Sequence, residues 1–275
     1  MGKAAKKISA CEACGGNGVV IVGDAIRAVG SPPSVTIPCP DRCAAGIEAE
    51  QARNERMMRL SKMPARYAAM TFETFLKAME GHAPDGKTLG YAATRMFAER
   101  GGQAFTIQEA MAAQGGERFT PMGDDFVNWL MLTGDYGVGK TGLAAACAND
   151  LVARNVGVLY MRVADMLEML QSTYSKSYQG PSREQLLINF VTADVLILDE
   201  FQLENYTADR LELVEKIIRG RHGQGRSLLA TTNIPDDEAF LKLWGGRIGD
   251  IVATSHWVGV DGVKLRNTGR GVMRF

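Results

Sequence analysis

Residues 134–141 read Gly-Asp-Tyr-Gly-Val-Gly-Lys-Thr, and this stretch decides the fold class. It matches the pattern G-x-x-x-x-G-K-[ST] and lies between an apolar segment (127–133) and an alanine-rich segment (141–154). Glycines allow the backbone to curl so that successive N–H groups point at one anion, and the start of a helix adds its positive dipole end. The stretch therefore predicts a strand, a phosphate-binding loop and a helix, in that order.

The loop also predicts how a nucleotide is held. We expect Lys140 to reach the β- and γ-phosphates and Thr141 to offer its hydroxyl to Mg²⁺. The backbone around these two residues should surround the phosphates. The candidate nucleotide-binding residues of the loop are Gly134, Asp135, Tyr136, Gly137, Val138, Gly139, Lys140, Thr141 and Gly142.

Acidic and polar residues at the ends of two later apolar runs complete the candidate site. Residues 195–200, Val-Leu-Ile-Leu-Asp-Glu, are typical of a buried parallel strand that ends in two carboxylates. We expect Asp199 to hold Mg²⁺ and Glu200 to orient and polarise the attacking water, the alternative being a solvated strand end. Residues 228–233, Leu-Leu-Ala-Thr-Thr-Asn, end in Asn233. Its amide is expected near the γ-phosphate, and a turn-forming asparagine is the alternative.

The alternation of short apolar runs and helical patterns predicts an α/β fold, with a parallel sheet between helices. A glycine- and alanine-rich stretch at 100–125 predicts an insertion or linker before the first core strand. The expected core strands are 127–133, 157–162, 195–199, 227–232 and 251–260. The expected helices are 141–154, 164–174, one that begins at the capping box Ser182-x-x-Gln185, and 208–219.

The composition excludes several classes of protein. Of 275 residues, 46% are hydrophobic and 23% charged, as in a globular protein that can bury a sizeable core. Lys and Arg together number 31, as do Asp and Glu, so any contact with nucleic acid must be a local patch. No apolar run approaches the ~18 residues of a membrane helix, and the N-terminus lacks the apolar stretch of a signal peptide. We therefore expect a cytoplasmic protein.

The order of phosphate loop, acidic strand and polar-ended strand resembles the AAA+ ATPases. Within them the sequence is most similar to the DnaC/DnaI-type replicative helicase loaders and the IstB-type transposition ATPases. The resemblance extends over roughly residues 63–275. The resembling stretches are 63–75, which in the family lies near the adenine, 134–145, 195–201, 231–233 and 243–251.

This resemblance implies an AAA+ P-loop ATPase core that binds ATP and Mg²⁺ and assembles as an ATP-dependent homo-oligomer. It implies that Arg247 is an arginine finger for the neighbouring subunit and that Arg266 is a second phosphate-sensing arginine. Many loaders carry a further arginine four residues after the finger, where this sequence has Ile251. The Asp199-Glu200 pair replaces the Asp-Asp of many relatives, which favours hydrolysis.

Four of the five cysteines lie in the first 43 residues, as Cys11-x2-Cys14-x24-Cys39-x3-Cys43. Two close pairs on either side of a predicted hairpin (18–22 and 35–38) suit a structural zinc site with four thiolates. Free thiols or an iron–sulfur cluster are the alternatives. We expect a zinc-binding module at 1–50, a helical linker at 51–62 and the ATPase domain at 63–275. The resemblance to zinc-bearing loaders implies that this module grips the helicase, and DNA binding is the alternative.

A polar segment at 161–180 is the candidate contact for single-stranded DNA. It holds Arg162, Tyr174, Lys176 and Tyr178, and tyrosines among cations can stack on bases and neutralise phosphates. In the family the corresponding region faces the pore and touches single-stranded DNA. An ordinary helix with a polar tip is the alternative.

Three functions are compatible with these features. The first is an ATP-dependent loader of a replicative DNA helicase, whose partners are that helicase and single-stranded DNA. The second is a transposition ATPase that delivers target DNA to a transposase. The third is a nucleotide-binding adaptor that hydrolyses little ATP. A kinase fits less well, because Asp199, Glu200 and Asn233 suit the activation of water.

Overall fold

A computed structural model describes residues 11–12, 19–22, 35–39, 43–79, 85–103, 128–202, 207–245 and 248–260. The chain divides into two compact units, Met1–Arg56 and Met57–Phe275. The division falls within helix α1 (Ala44–Leu60). Within the described part of the chain, no helix combines the length and the apolar character needed to cross a membrane.

The first unit contains the predicted hairpin. Strands β1 (Val19–Val22) and β2 (Val35–Pro38) pair antiparallel, with Val19 opposite Pro38 and Val22 opposite Val35. Val and Ile fill most of both strands, as expected for extended backbone. The start of α1 follows Cys43, so the second cysteine pair lies between the hairpin and this helix.

The second unit alternates strands and helices. Its strands are β3 (Trp129–Thr133), β4 (Val158–Arg162), β5 (Val195–Asp199), β6 (Ser227–Thr231) and β7 (His256–Gly259). Its helices are α2 (Phe72–Met79), α3 (Asp85–Glu99), α4 (Lys140–Ala153), α5 (Val163–Ser172), α6 (Arg183–Thr192), α7 (Ala208–Gly223), α8 (Asp237–Trp244) and α9 (Gly249–Ala253), and Ala65–Tyr67 form a 3-10 turn. The capping box that the sequence predicts is present, because Ser182 and Gln185 exchange hydrogen bonds of 2.9 and 3.3 Å at the start of α6.

The strands form one parallel sheet in the order β4-β5-β6-β3-β7. Parallel strands all end at the same edge, so the loop after β3 lies beside the ends of β5 and β6 although it is far from them in sequence. This confirms the predicted α/β fold with a parallel sheet between helices. It also explains why three distant segments converge on one site.

Helices cover both faces of the sheet. Alternate strand residues point to opposite faces, so that Leu130 and Leu132 lie in one apolar cluster and Trp129 and Met131 lie in the other. The first cluster includes residues of α3 and α4, and the second includes residues of α5 to α8. Burial on both faces accounts for the unbroken apolar runs seen in the sequence.

The prediction of a strand at 251–260 is wrong for the first half of that range. Residues Gly249–Ala253 form the short helix α9, and β7 begins only at His256. The apolar residues at 251 and 252 belong to the face of a helix, which a short apolar run cannot distinguish from a strand. Of the predicted insertion at 100–125, only residues 100–103 lie in the described part of the chain.

A buried arginine joins three elements of the second unit. Arg221 of α7 is fully buried, and its Nη1 donates to the carbonyl oxygens of Phe190 (2.7 Å) and Val191 (3.2 Å) at the end of α6. Its Nη2 donates to the carbonyl oxygen of Ser227, the first residue of β6. The positive charge therefore lies at the negative end of the α6 dipole and satisfies carbonyls that have no helical partner.

We expect Arg221→Ala to lower the free energy of unfolding by about 3 kcal/mol, because buried carbonyls would lose their donor and a cavity would form. Urea denaturation of the full chain measures the change. The matched control is Arg219→Ala, whose exposed guanidinium pairs with Glu215 and should contribute less than about 1 kcal/mol. Equal effects of the two substitutions would contradict the role of Arg221.

Candidate functional site

The phosphate loop follows β3 and has the backbone that its glycines predict. Gly134 has φ +137° and Gly139 has φ +105°, values that residues with a side chain rarely adopt. A Cβ on Gly134 would also lie 2.8 Å from the carbonyl oxygen of Val260, just after β7. The loop therefore needs glycine at these positions, and α4 begins immediately after it at Lys140.

Lys140 lies at the centre of the loop and is largely buried, with a relative exposure of 8%. Its Nζ donates to the carbonyl oxygens of Gly134 (2.7 Å) and Asp135 (2.9 Å) and to Oδ1 of Asn233 (2.8 Å). The structure thus brings Lys140 and Asn233 together, as the sequence predicts. An ammonium group in this position is available to neutralise a phosphate.

The carboxylate of Asp199 receives hydrogen bonds from three hydroxyl groups on three elements. Thr141 of α4 (3.1 Å) and Thr231 of β6 (2.6 Å) donate to Oδ1, and Tyr160 of β4 donates to Oδ2 at 2.9 Å. Asp199 is only 1% exposed. Burial and the charge of Asp199 raise the pKa of the Tyr160 phenol well above its usual range, so the phenol stays protonated and donates.

Glu200 follows Asp199 and has an unusual backbone. Its φ is +58°, in the left-handed region, and its N–H donates to Thr231 Oγ1 at 3.0 Å. The chain turns sharply here, so the side chain of Glu200 is exposed at the edge of the sheet while that of Asp199 is buried. The two adjacent acids therefore have different surroundings, as their different predicted roles require.

Asn233 connects the loop to the segment that follows β5. Its Oδ1 accepts from Lys140, and its Nδ2 donates to Oε1 of Gln202 at 2.9 Å. Beside it, Thr133 at the end of β3 donates to the carbonyl oxygens of Ile234 and Pro235. These contacts fix the turn after β6 against the start of the phosphate loop.

The donor set fits a hard divalent cation such as Mg²⁺. The Thr141 hydroxyl and the Asp199 carboxylate lie 3.1 Å apart and supply the oxygen ligands that Mg²⁺ prefers. The Lys140 ammonium group lies 2.8 Å from Oδ1 of Asn233. Together these groups have the chemistry needed to bind a nucleoside triphosphate with its metal.

The segment 63–75 packs against the helix that follows the loop. Nδ2 of Asn149 in α4 donates to the carbonyl oxygens of Tyr67 (3.1 Å) and Met70 (2.8 Å). A Cβ on Gly142 would lie 3.5 Å from the ring of Phe75. The stretch that resembles the adenine-proximal segment of the AAA+ family is therefore next to the phosphate loop.

Three predicted site residues, Arg247, Arg266 and Cys14, lie outside the described residues. Sequence reasoning also missed three residues that the structure places in the site, namely Tyr160, Thr231 and Gln202. Thr231 belongs to the quoted run 228–233, where its position at a strand end was the available signal. Tyr160 looks like any core residue of a buried strand, and no sequence signal separates it from them.

Three of the four N-terminal cysteines come together in the first unit. The Sγ atoms of Cys11, Cys39 and Cys43 all lie within 4.8 Å of one another, and those of Cys11 and Cys39 are 3.5 Å apart. Tetrahedral zinc with Zn–S bonds of ~2.3 Å places its sulfurs ~3.8 Å apart. The N–H of Gly46 also donates to Cys43 Sγ at 3.3 Å, a contact that stabilises a thiolate. The group fits a soft metal ion.

The candidate DNA-contact segment holds both paired and exposed groups. Arg162 makes two hydrogen bonds, of 2.8 and 2.9 Å, to the carboxylate of Asp165 and is therefore partly neutralised. Tyr174 is 68% exposed, and the guanidinium of Arg183 lies 5.0 Å from the centre of its ring. Lys176 is exposed and Tyr178 is half-buried. An aromatic ring beside a cation is thus presented to solvent here.

Comparison with known proteins agrees with this geometry. Residues 124–257 match the family model described as "IstB-like ATP binding protein". The replicative helicase loader DnaC of Escherichia coli (strain K12) is 32% identical over 145 residues, which cover 51% of this chain and 58% of DnaC. The insertion sequence IS1162 putative ATP-binding protein of Pseudomonas fluorescens is 34% identical over 110 residues, covering 38% of this chain and 44% of that protein. This chain therefore spans less than two thirds of the length of these relatives.

The fold is shared with a solved loader. The crystal structure of the DnaC helicase loader superimposes with a TM-score of 0.52 at 17% identity, and the match covers 72% of this chain and 100% of that one. The phosphate loop and the five-stranded parallel sheet agree with both comparisons. Residues 124–257 are similar to the IstB-like ATP binding protein family, and the chain shares the α/β fold of the solved DnaC helicase loader.

Proposed function

We propose that this protein is a cytoplasmic ATPase that loads a replicative DNA helicase, binds single-stranded DNA and switches state when it hydrolyses ATP. The observation that carries the proposal is the convergence of Lys140, Thr141, Asp199 and Asn233 at one edge of the sheet, with Glu200 exposed beside them. The helicase as partner is inferred from the similarity to DnaC over 145 residues.

The site supports hydrolysis, because each part of that reaction has a candidate residue. Thr141 and Asp199 would hold Mg²⁺, which neutralises charge on the β- and γ-phosphates when bound. Lys140 binds the same phosphates from the loop. Glu200 would accept a hydrogen bond from the attacking water and orient it, and the Asn233 amide would contact the water or the γ-phosphate.

The proposed function also includes assembly into a homo-oligomer and binding of single-stranded DNA. Arg247 would reach the ATP of a neighbouring subunit, so that ATP promotes a homo-oligomer, and Arg266 would contact the phosphates as well. Tyr174, Lys176 and Tyr178 would contact single-stranded DNA, because an exposed ring and a lysine in this segment suit stacking and phosphate binding.

The second candidate is a transposition ATPase that delivers target DNA to a transposase. The description of the matched family and the similarity to the IS1162 protein favour it. The two functions share the ATP site and differ in the partner and in the form of DNA that is bound.

For the N-terminal cysteines we propose a structural zinc ion held by Cys11, Cys14, Cys39 and Cys43. The support is the three clustered sulfur atoms, together with the spacing of the fourth cysteine. A unit of about 50 residues has little apolar core, so the metal would hold its hairpin against the start of α1. This module is then a candidate for gripping the helicase.

We expect Lys140→Ala to weaken ATP binding at least tenfold, and Glu200→Gln to bind ATP normally but hydrolyse it at least 100-fold more slowly. The first change removes the cation on the phosphates, and the second removes the carboxylate that orients water. Fluorescent-nucleotide titration and phosphate release measure the two effects. Lys216→Ala and Glu168→Gln, which alter charged side chains of α7 and α5 outside the candidate site, serve as controls. Normal hydrolysis by Glu200→Gln would contradict the assignment.

Mixing the purified full-length chain with the hexameric replicative helicase of the same source should give a complex on gel filtration that requires ATP. Lys140→Ala, which cannot use ATP, should fail to form it. If the chain instead forms ATP-dependent filaments on duplex DNA and no complex with the helicase, the transposition ATPase replaces the loader.

Metal analysis of the purified full chain should give about one zinc per chain, and Cys39→Ser should reduce this content. The matched control is Cys147→Ala, which removes a buried thiol on α4 and should leave the zinc in place. An iron content with visible absorbance, or a metal-free protein with a folded N-terminal unit, would contradict the zinc proposal.

A further inference from the structure

We propose that Tyr160 is a positioning residue for the magnesium site, holding the Asp199 carboxylate in the orientation that binds the ion. Its hydroxyl donates to Oδ2 of Asp199 from the neighbouring strand at 2.9 Å. The inference rests on the proposed Mg²⁺–ATP site and adds to it a residue that has no contact with the nucleotide.

The three donors on Asp199 have different tasks. Thr141 and Thr231 both donate to Oδ1, and Thr141 is itself a proposed ligand of the ion. Tyr160 approaches the other oxygen atom, from the opposite end of the carboxylate. Donors on both oxygens prevent the carboxylate from rotating about its Cβ–Cγ bond, so Oδ1 stays directed at Thr141 before an ion arrives.

Tyr160 can hold the Asp199 carboxylate in place because its own side chain is buried and its backbone is hydrogen-bonded. Its side chain is 1% exposed, and its backbone N–H and carbonyl oxygen both make hydrogen bonds on the side away from β5. Its N–H donates to Oγ of Ser61 at 3.0 Å, and its carbonyl oxygen accepts from the N–H of Lys62 at 2.9 Å. Ser61 Oγ in turn donates to the carbonyl oxygen of Met57 at 3.0 Å, in the last turn of α1.

The hydrogen bonds of Tyr160 with Ser61 and Lys62 lie on an edge strand. β4 is the outermost strand of the sheet, and Ser61 and Lys62 occupy the place that a further strand would take. An edge strand leaves the N–H and carbonyl groups of one side without a strand partner. Ser61 and Lys62 pair with these groups of Tyr160, in addition to the pairing of β4 with β5, and so help to fix the position of the hydroxyl.

If Tyr160 had a purely structural role, loss of its hydroxyl would affect metal binding differently. A ring that only fills the core would tolerate loss of its hydroxyl without any effect on the metal, because Phe keeps the ring. A positioning hydroxyl affects the ion more than the nucleotide, since outer contacts to metal ligands are typically worth 10–100-fold in metal affinity.

The test uses the full chain with saturating ADP and Mn²⁺ as the probe, and the free Mn²⁺ is measured by electron paramagnetic resonance. Tyr160→Phe should raise the apparent dissociation constant of Mn²⁺ about tenfold, and the affinity for ADP in EDTA should stay within twofold of the wild type. The matched control is Tyr91→Phe, another buried tyrosine of the same apolar cluster, whose hydroxyl interacts with Arg95. It should leave Mn²⁺ binding unchanged.

A double-mutant cycle makes the test independent of any loss of stability. In an Asp199→Asn background, Tyr160→Phe should have no further effect on Mn²⁺, whereas general damage would lower binding in both backgrounds. If wild type binds Mn²⁺ with ADP and Tyr160→Phe binds it within twofold as well, the inference is overturned. If the wild type itself binds no Mn²⁺ with ADP, the proposed ATP site fails instead.

Discussion

The buried carboxylate of Asp199 is the constraint on which the rest of the site depends. An ionised group at 1% exposure is costly unless hydrogen bonds or a metal ion compensate for the lost water. Here hydroxyls from α4, β4 and β6 all converge on it. Each of these elements must therefore keep its position relative to β5, and the phosphate loop at the start of α4 is positioned by the same contacts.

The strand order makes this convergence possible. Because β3 lies between β6 and β7, the loop that follows it lies inside the sheet edge next to the end of β6, and Thr141 at the start of α4 contacts Asp199 at the end of β5. Thr231 then connects the two acids, since its hydroxyl donates to Asp199 and accepts from the N–H of Glu200. One side chain thus contacts both the buried carboxylate of Asp199 and the backbone of the exposed Glu200.

Much of the fold was predictable, because its signals are local. The glycines of the phosphate loop, the capping box at Ser182 and the apolar runs of β3 to β6 each specify their own element. The error at Gly249–Ala253 arose where an apolar run is too short to distinguish a helix from a strand. The sequence predicted that Lys140 and Asn233 lie near one phosphate and that Thr141 and Asp199 lie near one ion, and each pair is in contact in the structure. Tyr160 and Gln202 could not be predicted, since their roles depend on side-chain direction across neighbouring strands.

A loader, a transposition ATPase and a weakly hydrolysing adaptor would all use the same metal and phosphate site, so all three functions depend on it. The most direct measurement is a crystal structure of the full chain with ADP and Mn²⁺, with anomalous data collected at the manganese edge. We expect a peak about 2.1 Å from Thr141 Oγ1, with the Asp199 carboxylate bound to the ion directly or through one water molecule. We also expect Lys140 to hold the β-phosphate. A peak remote from Thr141 and Asp199, with the diphosphate outside the loop, would contradict the proposed site.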